Sequence, residues 1–494
     1  MGSLAHNAPI VFTFHALRFT HEVYPMKEND PLISELANIV GSEHVITDST
    51  SLSVYECDGA TVFKALPDVV VFPTTPQEIS AIVKLANKHN VPFVARGAGT
   101  GLSGGMLTVN GGIIIALNRM NRILEIDIAN QQAVVEPGVV NLWLTQAVQD
   151  DGYYYAPDPS SQQACSIGGN IAENSGGPHT LKYGVTSNHV LGLEVVLTDG
   201  EIVEFGGAVE ETPGYDIRGV MIGSEGTFGI VTKATVRLLR KPEGYQTLLG
   251  IFETIDDASN VVSSIIAKGI IPAALEMMDH FVIKAVEEAF HWGFPLDAGA
   301  VLIVELDGIK AGMQSQAEQI TEIFNENNCR ETRYAKDEED RQQIWKSRKS
   351  AFGSFGRLAP NYITQDGVVP RTQLPKVLRR IAEISEKYDI PIANVFHAGD
   401  GNIHPIVLFD ERDADQCERV EAVNMEILRA CAEAGGTITG EHGIGVEKMD
   451  YMPLIFNPQD LAVMATVKDI FNPSGLCNPG KIFPTAESYA KLGL

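Results

Sequence analysis

Two short runs, far apart in the chain, carry side chains that could do chemistry together. His397 and His404 flank a glycine-bearing turn in Asn394-Val-Phe-His-Ala-Gly-Asp-Gly-Asn-Ile-His404, and Glu441 and His442 stand side by side in Gly440-Glu-His-Gly-Ile-Gly445. Two imidazoles and a carboxylate suit a catalytic divalent metal with an open coordination position, and these donors fit zinc, manganese and iron alike. On a regular strand Glu441 and His442 would point to opposite faces. The bracketing glycines free the backbone to turn, so the carboxylate can face a metal while the imidazole faces a substrate proton. Histidine suits that second task because its unperturbed pKa lies near neutrality. Arg348, in Trp345-Lys-Ser-Arg-Lys349, is the cation to set against a substrate carboxylate.

A third stretch, Val91 to Gly105, offers backbone rather than side chains. An apolar run stops at Arg96, and Gly97, Gly99, Gly101, Gly104 and Gly105 follow. Such a loop can present several N–H groups to an anion, with Arg96 beside them, and reads as a site for a dinucleotide pyrophosphate. Gly99-x-Gly101-x-x-Gly104 also fits the Rossmann fingerprint, with Glu125 and Asp127 at the spacing of a ribose carboxylate. That fingerprint must open a helix. Met106–Ala116 reads instead as turn and strand, so a Rossmann nicotinamide site is rejected. A second ligand-facing region spans Ala156–Ser161, Ser166–Gly177 and Lys182–Gly184, where Ser160, Ser161, Asn174 and Ser175 add side-chain donors.

The elements that must position these groups change character along the chain. Thr75, Pro76 and Glu78 give a capped start to a helix ending near Asn90, and the strand Val91–Ala95 leads into the glycine loop. Strands are expected at 113–116, 123–128, 133–137, 190–197 and 202–205, and residues 241–245 read as a linker. Beyond it, strand, helix and strand occur twice (247–253, 255–268, 273–278; 300–306, 311–327, 330–334), the pattern of a ferredoxin-like α+β unit. Helices follow at 337–352, 373–387, 412–434 and 458–471. The 494 residues carry a formal net charge of −26, which argues against nucleic acid and anionic membrane surfaces as partners. The six cysteines are scattered without a C-x-x-C, so no iron–sulfur cluster or zinc ribbon is expected in this chain. No apolar run reaches membrane-spanning length. Residues 1–27 lack a signal-peptide pattern and read as a loosely held extension.

Arg96–Gly105, Asp158–Ser161, Gly168–Asn170, Gly223–Gly226, Asn361–Gly367, His397–His404, Glu441–Gly443 and Asn478–Lys481 together resemble the vanillyl-alcohol oxidase-type FAD enzymes with an FAD-linked oxidase C-terminal cap. The resemblance implies an α+β fold: a two-subdomain FAD-binding domain over 28–240, a ferredoxin-like cap carrying substrate and metal over 241–450, and a segment 451–494 returning to the FAD domain. It implies non-covalent FAD, because Thr100 stands where relatives with an attached flavin often carry a histidine. The pyrophosphate would lie on Arg96, Gly97, Gly99, Thr100, Gly101, Leu102 and Ser103. The flavin ring would lie near Gly168, Gly169, Asn174, Ser175, Gly176 and Gly177, and Glu225 and Ile230 would line the adenosine side. Pro73, Asp158, Ser160, Ser161, Gly184, Gly226, Gly229 and Asn478 complete the expected cofactor set.

The resulting expectation is a flavin-dependent dehydrogenase of a small 2-hydroxy monocarboxylate, glycolate to glyoxylate, with D-lactate as the nearest alternative. Arg348 would hold the carboxylate, a metal on His397, His404 and Glu441 would polarise the hydroxyl, and His442 would take its proton. Thr364-Gln365 stands where D-2-hydroxyglutarate dehydrogenases carry a substrate lysine, which disfavours long dicarboxylates. An accessory flavin subunit without its own active site would need none of these side chains. Electrons would leave to an iron–sulfur subunit, a second flavin subunit or a quinone. The expected location is cytoplasmic, or peripheral on the inner face of a membrane through such a partner.

Overall fold

The computed structural model describes residues 17–18, 30–209, 213–485, 488–489 and 492. Of the expected N-terminal extension, only Leu17–Arg18 falls among them, and its backbone pairs in parallel with Phe63–Lys64.

The two larger sheets of residues 30–240, of four and five strands, each have their own apolar core. In the first, Val69–Val71, Ile113–Ala116 and Phe93–Arg96 run parallel, and Val45–Ile46 adds an antiparallel edge. Helix Pro76–His89 packs on it through Ile79, Ile82, Val83 and Ala86, and starts where the Thr75 hydroxyl accepts from the Glu78 N–H at 3.2 Å. The chain between Arg96 and Ile113 forms no helix, in keeping with the rejection of a Rossmann site. The second sheet is antiparallel, in the order Ile202–Gly206, Val190–Leu197, Gly229–Arg237, Gln132–Val135, Ile123–Asp127. Ser166–Gly177, the ligand-facing region rich in glycine, contains a helix, Ile167–Glu173. The Ser166 hydroxyl caps it by accepting from Gly169 N–H, and Asn174 ends it in the left-handed region (φ 55°).

From Gly244 onward, inside the expected linker, an eight-stranded sheet takes over. Cys329–Tyr334, Gly244–Phe252, Ala300–Gly308 and Ala274–Asp279 stand in the ferredoxin-like order, fourth-first-third-second. The sequence reading missed helix His280–Phe290 between the second and third of these strands. The sheet then continues past Ala274–Asp279 with Ile392–His397, Asn402–Phe409 and Asn361–Thr364, and Gly367–Val368 also pairs with Asn402–Phe409. Helices Ile255–Ala267, Met313–Glu326, Leu374–Tyr388 and Ala414–Glu433 cover one face. His280–Phe290 and Ala351–Ser354 cover the other.

This added hairpin fixes the two histidines. Glu276 faces His397 across the strand pair, while His397 pairs with Asn402 and Val395 with His404. His397 and His404 are therefore diagonal neighbours on one face of the sheet. Past helix Pro458–Phe471 the chain returns to the first sheet, where Cys477 bridges to Phe93 and Asn478 N–H donates to Phe93 C=O at 2.8 Å. Among the described residues no helix is long and apolar enough to cross a membrane, and all six cysteines are unpaired.

Candidate active site

One cavity of about 560 Å³ collects both kinds of chemistry, within the size range of small-molecule sites. Gly97, Gly99, Thr100, Gly101 and Leu102 line it from the first glycine loop, and Ser160, Ser161, Gly168, Gly169 and Ser175 from the second region. Glu225, Gly226, Gly229 and Ile230 line a further wall, and His404, Glu441 and His442 reach it from the cap. The N–H groups of Ala98 to Leu102 donate to no acceptor among the described residues. A row of unsatisfied donors facing a cavity fits an anionic ligand. The loops also meet closely: a Cβ on Gly97 would stand 2.2 Å from Ser166 Oγ.

The second cluster is made of side chains. Glu441 Oε1 lies 3.3 Å from His397 Nε2 and 3.2 Å from His404 Nε2. Two donors, each ~2.1 Å from a tetrahedral ion, stand about 3.4 Å apart, so the spacing fits a bound cation. The outer nitrogens are occupied: His397 Nδ1 by Glu276 at 2.7 Å, and His404 Nδ1 by the Gln365 carbonyl at 3.3 Å. Both rings therefore turn Nε2 inward, the arrangement that second-layer partners impose at metal sites. A second possible triad, Asp366, His404 and His442, fits worse. It would use His404 Nδ1, which already faces the Gln365 carbonyl.

Asp366 Oδ2 accepts from Thr439 Oγ1 (2.6 Å) and from the N–H groups of Gly440 (2.8 Å), Glu441 (3.0 Å) and His442 (2.8 Å). The backbone curls around this oxygen and leaves by way of Gly443 (φ 84°). Glu441 and His442 thus both reach the cavity, and the His442 ring stacks on His404 at 5.0 Å. The turn is tied to the glycine loops. Ile444 and Gly445 N–H groups donate to the Glu225 carboxylate at 2.7 Å each, and those of Val446 and Glu447 to the Ser103 carbonyl.

Burial disfavours charge on every member. For His397 the carboxylates of Glu276 and Glu441 outweigh it and hold the imidazole well above its ordinary range. For Glu441 the two histidines outweigh it and hold the carboxylate well below. Asp366 is brought to about 2, burial being outweighed by His442, Lys448 and His404. His442 is brought down to about 4 by burial, aided by His404 and Lys448 and opposed by Asp366. A neutral imidazole can accept a proton.

A family model for FAD linked oxidases, C-terminal domain, matches residues 241–482, and one for an FAD binding domain matches 67–206. The glycolate oxidase subunit GlcD of Escherichia coli is 44% identical over 92% of this chain and 91% of its own. The chain belongs to the FAD-linked oxidases. The GlcD of Bacillus subtilis is 42% identical over 91% of this chain and 96% of its own. A mitochondrial D-lactate dehydrogenase of Arabidopsis thaliana is 31% identical over 92% and 80%. In fold, this FAD-linked oxidase is similar to p-cresol methylhydroxylase (TM-score 0.77, 18% identity, 92% and 96% covered). It is also similar to 4-ethylphenol oxidase from Gulosibacter chungangensis (0.76, 24%, 92% and 97%). FAD is its cofactor, and the cavity with its open row of amides fits that group.

Several expected residues of this FAD-linked oxidase lie behind the cavity wall. Arg96 is turned under its loop: its guanidinium donates to the Cys57 carbonyl at 3.2 Å and lies over the Tyr55 ring at 5.0 Å. The glycine loop thus faces the cavity largely with backbone and without a cation, where a cation beside the anion is expected from sequence. Ser103 and Asn478 are buried supports, the latter donating to the carbonyls of Gly105 and Glu225. Asp158 pairs with His179, Asn174 accepts from the Ser187 N–H, Gly177 and Gly184 take positive φ, and Gly176 leaves room for Thr180 and Glu441. Pro73 is buried outside the lining, and the Glu225 carboxylate serves the cap turn. Arg348 is buried against Glu276, Nη2 to Oε2 2.8 Å but off hydrogen-bond alignment, and its Nε has no partner.

Other contributors escaped the sequence reading. Glu276 and Asp366 sit within strand-like runs that look like core, and only strand pairing and the turn reveal their targets. Asp58 lines the cavity and accepts from the Ala60 and Gly104 N–H groups, its carboxyl pushed to about 7 mainly by burial. Cys57-Asp-Gly59 was the one available signal for it. Lys349, exposed, also lines the cavity.

Proposed function

We propose that the chain oxidises glycolate to glyoxylate, with FAD as the acceptor of the hydrogen and its electron pair. The observation that carries this reading is the convergence of His404, Glu441 and His442 on the cavity that the glycine loops line. The identity of 42–44% to GlcD proteins supports glycolate over D-lactate, whose dehydrogenase is 31% identical. A divalent cation, zinc, manganese or iron, held by His397, His404 and Glu441 would supply Lewis-acid polarisation of the substrate hydroxyl. Arg348, buried beside Glu276 outside the lining with its Nε unpartnered, would hold the substrate carboxylate by turning toward the cavity. His442, kept neutral by burial, takes the hydroxyl proton as the carbon-bound hydrogen leaves with its electron pair. Gln365 donates to Glu447 and supplies no cation for a second carboxylate, which favours a small monocarboxylate. The flavin is held without a covalent link, Thr100 having no ring nitrogen to attack it.

The chain has no cluster-type cysteine spacing, so reduced flavin is discharged by a partner: an iron–sulfur subunit, a second flavin subunit or a quinone. Such a partner would also be the link to a membrane surface for an otherwise cytoplasmic chain. Anaerobic flavin bleaching of the metal-loaded protein with glycolate, D-lactate, L-lactate and D-2-hydroxyglutarate tests the reading. Glycolate should bleach fastest. Faster bleaching by D-lactate would move the assignment to the alternative.

A further inference from the structure

We infer that Asp366 is the positioning residue of the active-site turn, holding Glu441 and His442 in register with the histidine hairpin. The inference rests on the metal-and-base reading above. Asp366 lies between Asn361–Thr364 and Gly367–Val368, which both pair with the strand carrying His404. Its carboxylate is therefore fixed relative to that histidine. One oxygen collects four donors from four successive residues, Thr439 to His442, at 2.6–3.0 Å. Three of these are consecutive backbone N–H groups, which only a curled backbone can direct at one point. The approach is anchored separately, since Val368 and Thr437 exchange backbone hydrogen bonds at 3.0 and 2.9 Å. Asp366 thus sets the end of the segment, where side-chain direction matters, rather than its general course.

The carboxylate is fully buried, and its other oxygen has no hydrogen-bond partner. A buried carboxylate with three amide N–H donors makes charge-assisted bonds, about twice as strong as neutral ones. An asparagine would keep the shape. It would offer a neutral oxygen to those donors and turn an NH₂ toward His404 Nδ1, which stands 3.7 Å from the other carboxylate oxygen. The turn would then relax, and Glu441 would no longer meet both Nε2 atoms.

The test compares wild type, Asp366→Asn and Thr439→Val as FAD-bound full-length protein. Thr439→Val removes one donor to the same oxygen, with its longer 3.1 Å contact to the Gly443 carbonyl, and leaves the carboxylate in place. Chelator competition gives the metal dissociation constant, and the visible spectrum of the cobalt-substituted protein reports the ligand set. Asp366→Asn should weaken metal binding by ~10–100-fold and alter the cobalt spectrum, with FAD content and dithionite reduction unchanged. It should lower kcat more than it changes KM. Thr439→Val should move the same quantities in the same direction by a smaller factor.

Wild-type metal affinity and turnover in both variants would overturn the inference. Loss of metal in Asp366→Asn with an unchanged Thr439→Val would make Asp366 a ligand and also overturn it. If Asp366→Asn fails to fold, Thr439→Val decides by the same criteria. If wild type itself binds no metal, the metal reading fails, and the split between kcat and KM alone decides whether Asp366 positions the base.

Discussion

The two halves of the cavity are built from different materials. The glycine loops of the FAD-binding domain face it largely with backbone, amides from Ala98 to Leu102 and glycines too small to block them, and the one expected cation, Arg96, is folded away beneath. The cap supplies imidazoles and a carboxylate: the His397 and His404 rings are each held by a second buried polar group, and His442 by its backbone N–H. A backbone site tolerates change in any side chain that does not intrude. A side-chain site depends on every member, since a buried ionisable group without its partner is costly. Damage to the cap should therefore abolish chemistry while sparing FAD, and damage to the loops should lower FAD binding while sparing the metal.

The largest separation should come from His404→Ala. Removing one of three ligands breaks the set, so metal and turnover should be lost together while FAD stays at wild-type occupancy. Metal analysis and the flavin absorbance of one sample give both numbers. Full metal with normal turnover would take His404 out of the set. His442→Ala should divide the cap's own functions. Metal and FAD should remain, and flavin reduction in anaerobic stopped flow should slow by ~10²–10⁴-fold, the range of a lost general base. Loss of metal instead would make His442 a ligand.

The same contrast explains what the sequence could disclose. Glycines at 97, 99 and 101 are written contiguously because a backbone site needs contiguous backbone, and the loop was legible as a ligand site. His397, His404, Glu441 and His442 were legible too, as metal-type residues bracketed by turns. Their supports were not. Glu276 lies 121 positions from His397, and Asp366 lies 76 positions from His442. Strand pairing brings the first pair together, and the turn that follows the Val368–Thr437 bridge the second. The ferredoxin-like repeat was readable from its alternating periods, but helix His280–Phe290 was not, nor was the extension of that sheet by the histidine hairpin. The helix after Ser166 was hidden by Gly168 and Gly169, which lower helix propensity. A Cβ on Gly168 would stand 2.6 Å from Pro137 Cβ, so close packing excludes a better helix former there.

Gly97→Ala probes the loop side. The new methyl would stand 2.2 Å from Ser166 Oγ, the group that caps the following helix and separates the two cofactor loops. Overpacking of this kind costs roughly 1–3 kcal/mol. FAD affinity should fall by about tenfold or more, read by flavin retained after gel filtration, while metal content stays at wild type. Equal loss of metal would show that the two halves do not fail independently.

The smallest effect concerns the seam between the halves. His179, from the FAD-binding side, stacks on Trp345 of the cap at 5.5 Å. Its Nδ1 lies 2.8 Å from Asp158 and its Nε2 3.6 Å from Glu305. Burial alone would lower its pKa, but the two carboxylates outweigh this and raise it to about 10. The folded protein therefore keeps a proton that the unfolded chain releases near its ordinary value of 6.5. The sign follows: this stabilisation is complete below about pH 6.5 and is lost as pH rises towards 10. Between pH 6.5 and 8 the loss amounts to roughly 1–2 kcal/mol by linkage. Wild-type Tm should thus fall over that interval relative to His179→Gln, which cannot titrate. Both proteins should keep FAD and metal at neutral pH, because His179 lines neither half of the cavity. Parallel Tm curves for the two proteins would mean that the seam holds a neutral histidine, and that the halves are joined by packing rather than by charge.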